Sequence, residues 1–188
     1  VIVVTYNGKH WMDKCLGSLV SSTVQPDVIV IDNLSNDGTS DYVEKSFPQF
    51  ELIRKNKNLG FGKANNIGLQ KAIDKNYDYA FLLNQDAWLS PKTLENLVHL
   101  QKEQPEYGII SPLHLNREES MLDDKFTQYI CRDYNVNLMS HLLLGQTVSS
   151  LYPVSFVNAA AWLISSNCIR KVGGFDPIFP HYGEDNDY

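Results

Sequence analysis

Acidic and amide side chains directly follow two apolar runs of the sequence, at positions where they could bind a polar ligand. Asp32 follows the run at residues 28–31, and the segment Asn84-Gln85-Asp86 follows the run at residues 79–83. A carboxylate beside a buried strand is costly to desolvate and usually has a partner. For Asp86 that partner could be Mg²⁺ or Mn²⁺, since these cations need only one or two protein carboxylates and complete their shells with phosphate and water.

The alternative for both acids is ordinary loop chemistry. Asp86 could cap the helix expected after Pro91, and residues 32–39 have the Asn, Asp, Ser and Gly content of a surface turn. A calcium loop fits this segment poorly, because its first position is Asn33 and it follows a strand where such a loop needs a helix. At a strand end, the Asp32 carboxylate could instead accept a hydrogen bond from the imide N–H of a pyrimidine base.

A glycine-containing segment at residues 58–66 could face a phosphate group, although it matches neither common nucleotide motif. Asn65 stands where a dinucleotide-binding fingerprint needs its third glycine, and there is no Walker lysine-threonine pair. Lys63 and the amino end of the following helix could still face a diphosphate, because free N–H groups favour anions there. The other interpretation is a loop that uses glycine to enter a helix.

Acids also crowd the last stretch of the chain, at Asp176, Glu184, Asp185 and Asp187. Acids in the first turn of a helix stabilise its dipole, and Glu184 and Asp187 could do no more than that. One of the set could instead act as a general base, provided that it reaches an attacking hydroxyl.

Alternating strand and helix patterns separate these polar segments. Apolar strands that alternate with helices predict an α/β fold with a mostly parallel sheet and helices on both faces. Ligands of such sheets bind beyond the carboxyl ends of the strands, so the polar clusters are expected to converge on one crevice. Strands are predicted at residues 1–5, 28–31, 51–54, 79–83 and 156–164, and helices at 12–20, 40–47, 61–75, from Pro91, and near 167–172.

Composition limits the class of protein. The chain has 188 residues, of which 43% are hydrophobic and 20% charged, which predicts one globular domain and excludes collagen or a disordered chain. A net charge of −6 without blocks of like charge argues against broad electrostatic binding of nucleic acid or anionic lipid. The longest apolar run, residues 159–164, is too short for a membrane span. Three cysteines without a Cys-x-x-Cys pair predict a reducing, cytosolic setting.

Together, the motifs resemble the family-2 glycosyltransferases with the GT-A fold, especially the bacterial branch that includes rhamnosyltransferase-like enzymes. Each motif falls at the end of a predicted strand, and their order along the chain is that of the family. The matching segments are residues 3–7, 30–39, 58–66, 82–86 and 173–176, the last followed by Gly183-Glu184-Asp185.

The resemblance implies a nucleotide-sugar donor, a UDP- or TDP-sugar, with Mg²⁺ or Mn²⁺ on its diphosphate. It implies inverting transfer to a hydroxyl of a saccharide or lipid-linked saccharide. Asp86 would bind the metal, Asp185 would be the catalytic base, and Glu184 would orient the acceptor. The implied donor-binding residues are Thr5, Tyr6, Asn7, Asp32, Asn33, Lys63, Asn66, Asn84 and Gln85, of which Thr5 and Asp32 would hold the base and ribose.

The chain departs from the family pattern in ways that bear on activity. Asn84 replaces the first acid of the family's Asp-x-Asp motif and leaves one anionic ligand, and Asn158 stands where relatives tend to carry glycine. The helix and histidine-bearing strand that usually follow Tyr188 are not in this sequence. We therefore expect a fragment of a single GT-A domain that binds donor weakly or not at all, whereas only the full-length protein is a competent catalyst.

The resemblance also implies a function for each half of this fragment. Residues 1–115 would bind the nucleotide-sugar and residues 116–188 the acceptor side. The implied setting is bacterial cell-surface polysaccharide synthesis, in the cytoplasm or at the cytoplasmic face of the inner membrane, with any membrane association made by parts outside this sequence. Two alternatives stay open: a catalytically inactive module of this fold that binds a carbohydrate or partner protein, and a sugar-nucleotide pyrophosphorylase.

Overall fold

One sheet of six short strands organises the computed structural model, which describes residues 1–132, 136–179 and 183–188. In chain order the strands are β1 (Ile2–Thr5), β2 (Ile29–Asp32), β3 (Glu51–Arg54), β4 (Tyr79–Asn84), β5 (Ile109–Ile110) and β6 (Ala161–Ser165). Across the sheet they lie in the order β3-β2-β1-β4-β6-β5.

The inner part of the sheet is parallel. β1 pairs in parallel with β2 and β4, and β2 pairs in parallel with β3. β6 runs antiparallel to both of its neighbours, β4 and β5. Every residue of β2 is buried, as expected for a parallel strand that is covered on both faces. The α/β fold with a mostly parallel sheet is therefore confirmed.

Helices connect the strands and pack closely on them. In α3 a Cβ atom at Gly68 would lie 2.6 Å from side-chain carbons of Ile2 on β1, so a residue without a side chain is needed at this crossing. The helices are α1 (Met12–Val20), α2 (Thr39–Ser46), α3 (Phe61–Asp74), α4 (Thr93–Glu103), α5 (Asp124–Arg132), α6 (Val136–Leu143), α7 (Ser166–Val172) and α8 (Glu184–Asp187), with a 3₁₀ turn at Lys9–Trp11 before α1.

The chain divides into two compact units. The sheet unit comprises Val1–Ile110 and Ala159–Tyr188, and the inserted unit comprises Ser111–Asn158. The inserted unit contains α5, α6 and an isolated antiparallel bridge between Leu115 and Leu122. The predicted functional halves, 1–115 and 116–188, stay a prediction.

The last long strand begins later than expected. Residues 156–164 were predicted as a strand, but β6 covers only Ala161–Ser165. β4 ends at Asn84, whose N–H bonds the Ala160 carbonyl, so the residues before Ala160 have no further β4 residue to pair with. Similarly, α4 begins at Thr93 rather than at Pro91. No helix in the described ranges combines the length and apolar character needed to cross a bilayer.

Candidate active site

Three of the predicted site residues end adjacent strands at the same edge of the sheet. Thr5 and Asp32 are register partners on β1 and β2. On the other side of β1, Asn84 of β4 is the register partner of Val4. The carboxyl ends of parallel strands are where ligands of open α/β sheets bind. The expected convergence of polar side chains on one edge is therefore present.

Gln85 ties the loop after β1 to the turn after β4. Its Oε1 atom accepts hydrogen bonds from the Thr5 hydroxyl at 2.7 Å and from the Tyr6 backbone N–H at 3.0 Å. Its Nε2 atom donates to the Tyr6 carbonyl at 3.3 Å. A Cβ atom at Gly8 would collide with the Gln85 side chain and lie 2.8 Å from Thr5 Oγ1. The packing is therefore tight around Gln85, while the Tyr6 side chain is left exposed.

Asp32 is 4% exposed and is held by the loop that follows it and by the first turn of α2. Its Oδ1 atom accepts a hydrogen bond from the Ser35 backbone N–H at 3.0 Å, and its Oδ2 atom accepts one from the Ser40 hydroxyl. These two donors satisfy the carboxylate and fix its orientation at the strand end. A carboxylate oxygen can accept more than one hydrogen bond, so a base N–H could still be accommodated.

Asn7 connects the loops that follow β1 and β2. It adopts a left-handed backbone conformation, with φ of 49°, which asparagine tolerates better than most residues. Its N–H donates to Ser35 Oγ at 2.9 Å, and its Oδ1 accepts from the Asn36 N–H at 2.8 Å. Asn7 therefore positions the two loops relative to each other.

Asn33 holds the segment that leads into α3. Its Nδ2 donates to Asn58 Oδ1 at 2.8 Å and to the Gly60 carbonyl at 3.2 Å, and its Oδ1 accepts from the Leu59 N–H at 2.7 Å. The side-chain amide is thus engaged inside the protein. Its implied contact with the donor stays a prediction.

Lys63 and Asn66 have different surroundings on α3. Lys63 is exposed in the first turn, where a cation could reach a phosphate. Asn66 instead pairs with the backbone of Phe175: Nδ2 donates to the carbonyl and Oδ1 accepts from the N–H, both at 2.8 Å. The structure shows Asn66 fastening residue 175 to α3, and its donor contact stays a prediction.

Asp86 lies exposed in the turn after β4, beyond Asn84 and Gln85. Within the described ranges, no three His, Cys, Asp or Glu residues come together to hold a metal ion. The residues present fit a Mg²⁺ or Mn²⁺ ion that takes one protein carboxylate and its remaining ligands from phosphate and water. Beneath the strand end, burial raises the pKa of the Cys15 thiol to about 12, assisted by the charge of Asp86, so this thiol stays protonated.

The two acids proposed for the reaction lie at the start of α8 and differ in exposure. Asp185 is half-buried, and its Oδ2 accepts a hydrogen bond from the Ala159 backbone N–H at 3.4 Å. Glu184 is 6% exposed and packs near Gly62, with Oε2 buried and without a hydrogen-bond partner among the described residues. A buried, unpaired carboxylate oxygen is costly and marks a place where a hydroxyl donor would be favourable.

A short backbone segment connects Asp185 with the end of β4. Ala159 donates its N–H to Asp185, and the carbonyl of the next residue, Ala160, accepts a hydrogen bond from the Asn84 N–H at 2.9 Å. The candidate base and the candidate metal-binding turn are therefore attached to neighbouring residues of one chain segment.

Sequence reasoning missed the residues that hold this edge together. Ser35 and Ser40 satisfy Asp32, Asn58 satisfies Asn33, and the backbone at Ala159 and Ala160 contacts the two acidic segments. The Asp32–Ser35 contact has a recognisable signal, because aspartate commonly bonds nearby backbone N–H groups in turns. The alanines carry no polar side chain and give no such signal.

Comparison with known proteins identifies related sequences. The family model described as glycosyl transferase family 2 matches residues 1–152. An N-acetylglucosaminyl-diphospho-decaprenol L-rhamnosyltransferase of Mycobacterium tuberculosis is 25% identical over 214 residues, covering 100% of this chain and 67% of the relative.

Solved structures share the fold. The mannosyltransferase PcManGT from Pyrobaculum calidifontis, solved with GDP-Man and Mn²⁺, has a TM-score of 0.69 and 21% identity, covering 99% of this chain and 48% of that protein. S. aureus TarS, solved as residues 1–349, has a TM-score of 0.69 and 18% identity, covering 98% of this chain and 51% of that protein. The chain thus spans about half the length of these two structures, and both likenesses confirm its GT-A fold.

Proposed function

Because the chain belongs to glycosyl transferase family 2, we propose that it is the catalytic region of an enzyme that moves a sugar from a nucleotide-diphosphate donor to an acceptor hydroxyl, with inversion. The observation that carries this proposal is the common edge of β1, β2 and β4, where Thr5, Asp32 and Asn84 end adjacent strands. Asp185 is attached to the same edge through Ala159 and Ala160.

The donor nucleotide would lie along this edge. Asp32 offers a buried, pre-oriented carboxylate to a base N–H, and Thr5 with the loop at Tyr6 and Asn7 forms the adjoining wall. Lys63 and the first turn of α3 would face the diphosphate, since exposed cations and free helix N–H groups favour anions. Asn33, Asn66 and Gln85 support these segments through hydrogen bonds within the protein.

Asp185 would act as the general base. It would accept the proton of the acceptor hydroxyl while that oxygen forms a bond to the anomeric carbon and the bond from this carbon to the donor phosphate breaks. Attack from the face opposite the leaving diphosphate inverts the anomeric centre. Glu184 would orient the acceptor; because its unpaired Oε2 is buried, this role requires the side chain to turn towards the acceptor.

Asp86 would hold the divalent cation, with Asn84 as a neutral neighbour. When bound, such a cation stabilises negative charge on the leaving diphosphate. The exposure of Asp86 fits an ion that arrives together with the donor. This requirement for donor phosphate also explains why one carboxylate can suffice.

The proposed setting is bacterial cell-surface polysaccharide synthesis. The mycobacterial relative is named for rhamnosyl transfer to a diphospho-decaprenol-linked sugar, so a saccharide or lipid-linked saccharide is the proposed acceptor here. A UDP- or TDP-sugar is the proposed donor, and the cytoplasm or the cytoplasmic face of the inner membrane is the proposed location. Weak or absent donor binding by the present chain, compared with the full-length protein, stays a prediction.

Calorimetric titration of the full-length protein with UDP-, TDP- and GDP-sugars, with and without Mn²⁺, tests the proposal. We expect Mn²⁺-dependent binding of one donor that is lost in Asp86→Ala. Asp74→Ala is the matched control, because Asp74 is an exposed acid at the far end of α3. Failure to bind any donor under either condition would contradict the proposal and favour a non-catalytic module.

A further inference from the structure

The inserted unit contains an unusually uncharged stretch. Residues 136–158 include no Asp, Glu, Lys or Arg, whereas one fifth of the whole chain is charged. This stretch contains α6 and the residues that follow it. In a surface segment of this length, charge would ordinarily be used to keep the surface in water.

The end of α6 exposes several large apolar side chains. Leu142, Leu143 and Leu144 are consecutive and are 55%, 77% and 70% exposed. Met139 and Val148 are also exposed. We call these five residues the leucine tip. An exposed apolar cluster of this kind marks an interaction surface more often than an isolated exposed leucine does.

Two backbone hydrogen bonds at the tip are made within the segment. The Leu144 N–H donates to the Ser140 carbonyl at 2.9 Å, and the Gln146 N–H donates to the His141 carbonyl at 2.8 Å. Gly145 makes this helix ending with a φ of 63°, a left-handed conformation that glycine adopts without strain. Groups that are bonded internally cost less to remove from water, and lipid supplies no replacement partners.

Polar side chains near the tip also bond to one another. His141 Nδ1 lies 2.7 Å from the Tyr152 hydroxyl, and the Ser149 N–H donates to the same hydroxyl at 2.8 Å. The apolar side chains of the leucine tip therefore have neighbouring polar groups that are hydrogen-bonded to one another.

We propose that the leucine tip docks on the lipid surface of a membrane. The proposal rests on the proposed function, in which the acceptor is a lipid-linked saccharide. A bilayer interface favours apolar surface that brings no charge into the membrane. The leucine tip is such a surface, since its five residues are apolar and residues 136–158 include no Asp, Glu, Lys or Arg. The protein carries a net charge of −6, and a stretch without acids adds no repulsion from anionic lipid.

Vesicle binding by the full-length protein tests the proposal. Sedimentation with vesicles of phosphatidylethanolamine and phosphatidylglycerol is compared for wild type and the triple variant Leu142→Ser, Leu143→Ser, Leu144→Ser. We expect the partition coefficient to fall about tenfold or more, because three leucine side chains no longer leave water. Ile178→Ser is the matched control, since Ile178 is 75% exposed in the sheet unit, and it should bind as wild type does.

A local probe keeps the test decisive if another segment anchors the full-length protein. In a variant whose native cysteines are replaced by alanine, an environment-sensitive fluorophore at Leu143→Cys should shift to the blue when vesicles are added. The same fluorophore at Ile178→Cys should not shift. Equal responses at the two positions would overturn the proposal.

Two further measurements separate this inference from the proposed function. The triple variant should bind the nucleotide-sugar as wild type does. If it binds donor and also binds vesicles as strongly as wild type, the proposed membrane role of the leucine tip is refuted while the proposed function is not. If wild type binds no donor, the proposed transferase activity fails while the vesicle result still stands. Light scattering tests whether the leucine tip instead binds a second copy of the chain. If wild type forms a dimer, the triple variant does not, and wild type does not bind vesicles, the tip is a dimer interface and the membrane proposal is overturned.

Discussion

The Thr5 hydroxyl donates a hydrogen bond to Gln85 Oε1 at 2.7 Å, although 80 positions separate the two residues. This contact joins the end of β1 to the turn that carries Asp86. Because Gln85 also bonds both backbone polar groups of Tyr6, it orders the loop proposed to contact the donor. Distortion around Gln85 should therefore affect two parts of the site at once.

Gly8→Ala is expected to destabilise the protein by about 1–3 kcal/mol, because the added methyl group must displace Gln85. Gly17→Ala is the matched control: a Cβ atom there meets nothing within 4 Å, and alanine within α1 should stabilise by about 0.5–1 kcal/mol. Urea denaturation monitored by circular dichroism measures both. Equal effects of the two substitutions would contradict the tight packing around Gln85.

Asp185→Asn is expected to reduce kcat of the full-length enzyme by about 10²–10⁴-fold while leaving donor affinity unchanged, because an amide cannot accept the acceptor proton. Asp187→Asn changes an exposed acid on the same helix and should retain activity. Steady-state kinetics together with calorimetry separate the two parameters. Full turnover in the Asp185 variant would remove this residue from the role of base.

Asn66→Leu is expected to lower the free energy of unfolding by about 1–3 kcal/mol, since the N–H and carbonyl of Phe175 both lose their partner. Hydrogen exchange at the Phe175 amide should accelerate in the same variant. Asn96→Leu, on an exposed position of α4, is the control and should alter stability little. Unchanged exchange at Phe175 would show that Asn66 is not what holds this segment.

His114 should make the protein less stable in mild acid. Burial lowers the pKa of His114 below its ordinary value of 6.5. The His114 ring packs against the Phe126 ring, with 4.6 Å between the two ring centroids. The unfolded chain then binds the proton more readily than the folded chain, so stability is full above about pH 6.5 and falls as the pH drops towards the folded-state pKa. Urea denaturation between pH 7.5 and 5 measures this slope.

The control for that experiment removes the histidine. His114→Gln should flatten the dependence of unfolding free energy on pH across this window, because the variant has no buried imidazole to protonate. The comparison uses the slope, so a modest overall loss of stability in His114→Gln does not affect it. An unchanged slope in His114→Gln would assign the acid sensitivity to other groups.

The order of elements was predictable from local patterns. β3 has the predicted boundaries. The ends of β1, β2, α2 and α3 lie within one residue of the predicted ends. Membership of family 2 and the GT-A fold were also predicted from motifs and are confirmed. β5 escaped prediction because a strand of two residues has no periodicity to detect.

The connections within the site were less predictable, because they depend on contacts distant in sequence. Asn66 lies in a motif that suggests ligand binding, yet it bonds Phe175, 109 positions away. The sequence shows that Gln85 lies within the Asn84-Gln85-Asp86 motif, but it does not reveal the contact between Gln85 and Thr5. Residue type and strand position identify the edge where chemistry occurs, whereas the assignment of each amide to ligand or protein depends on the folded backbone.

Ala159 and Ala160 connect Asp185 and Asn84 through one N–H and one carbonyl on consecutive residues. A role carried by backbone atoms tolerates a change of side chain but not a change in the number of residues. Inserting one residue between Ala160 and Ala161 would also turn each following side chain of β6 to the opposite face of the sheet, since strand residues alternate. The dipeptide therefore works as a fixed-length spacer, and variation in chain length is expected to be confined to loops elsewhere.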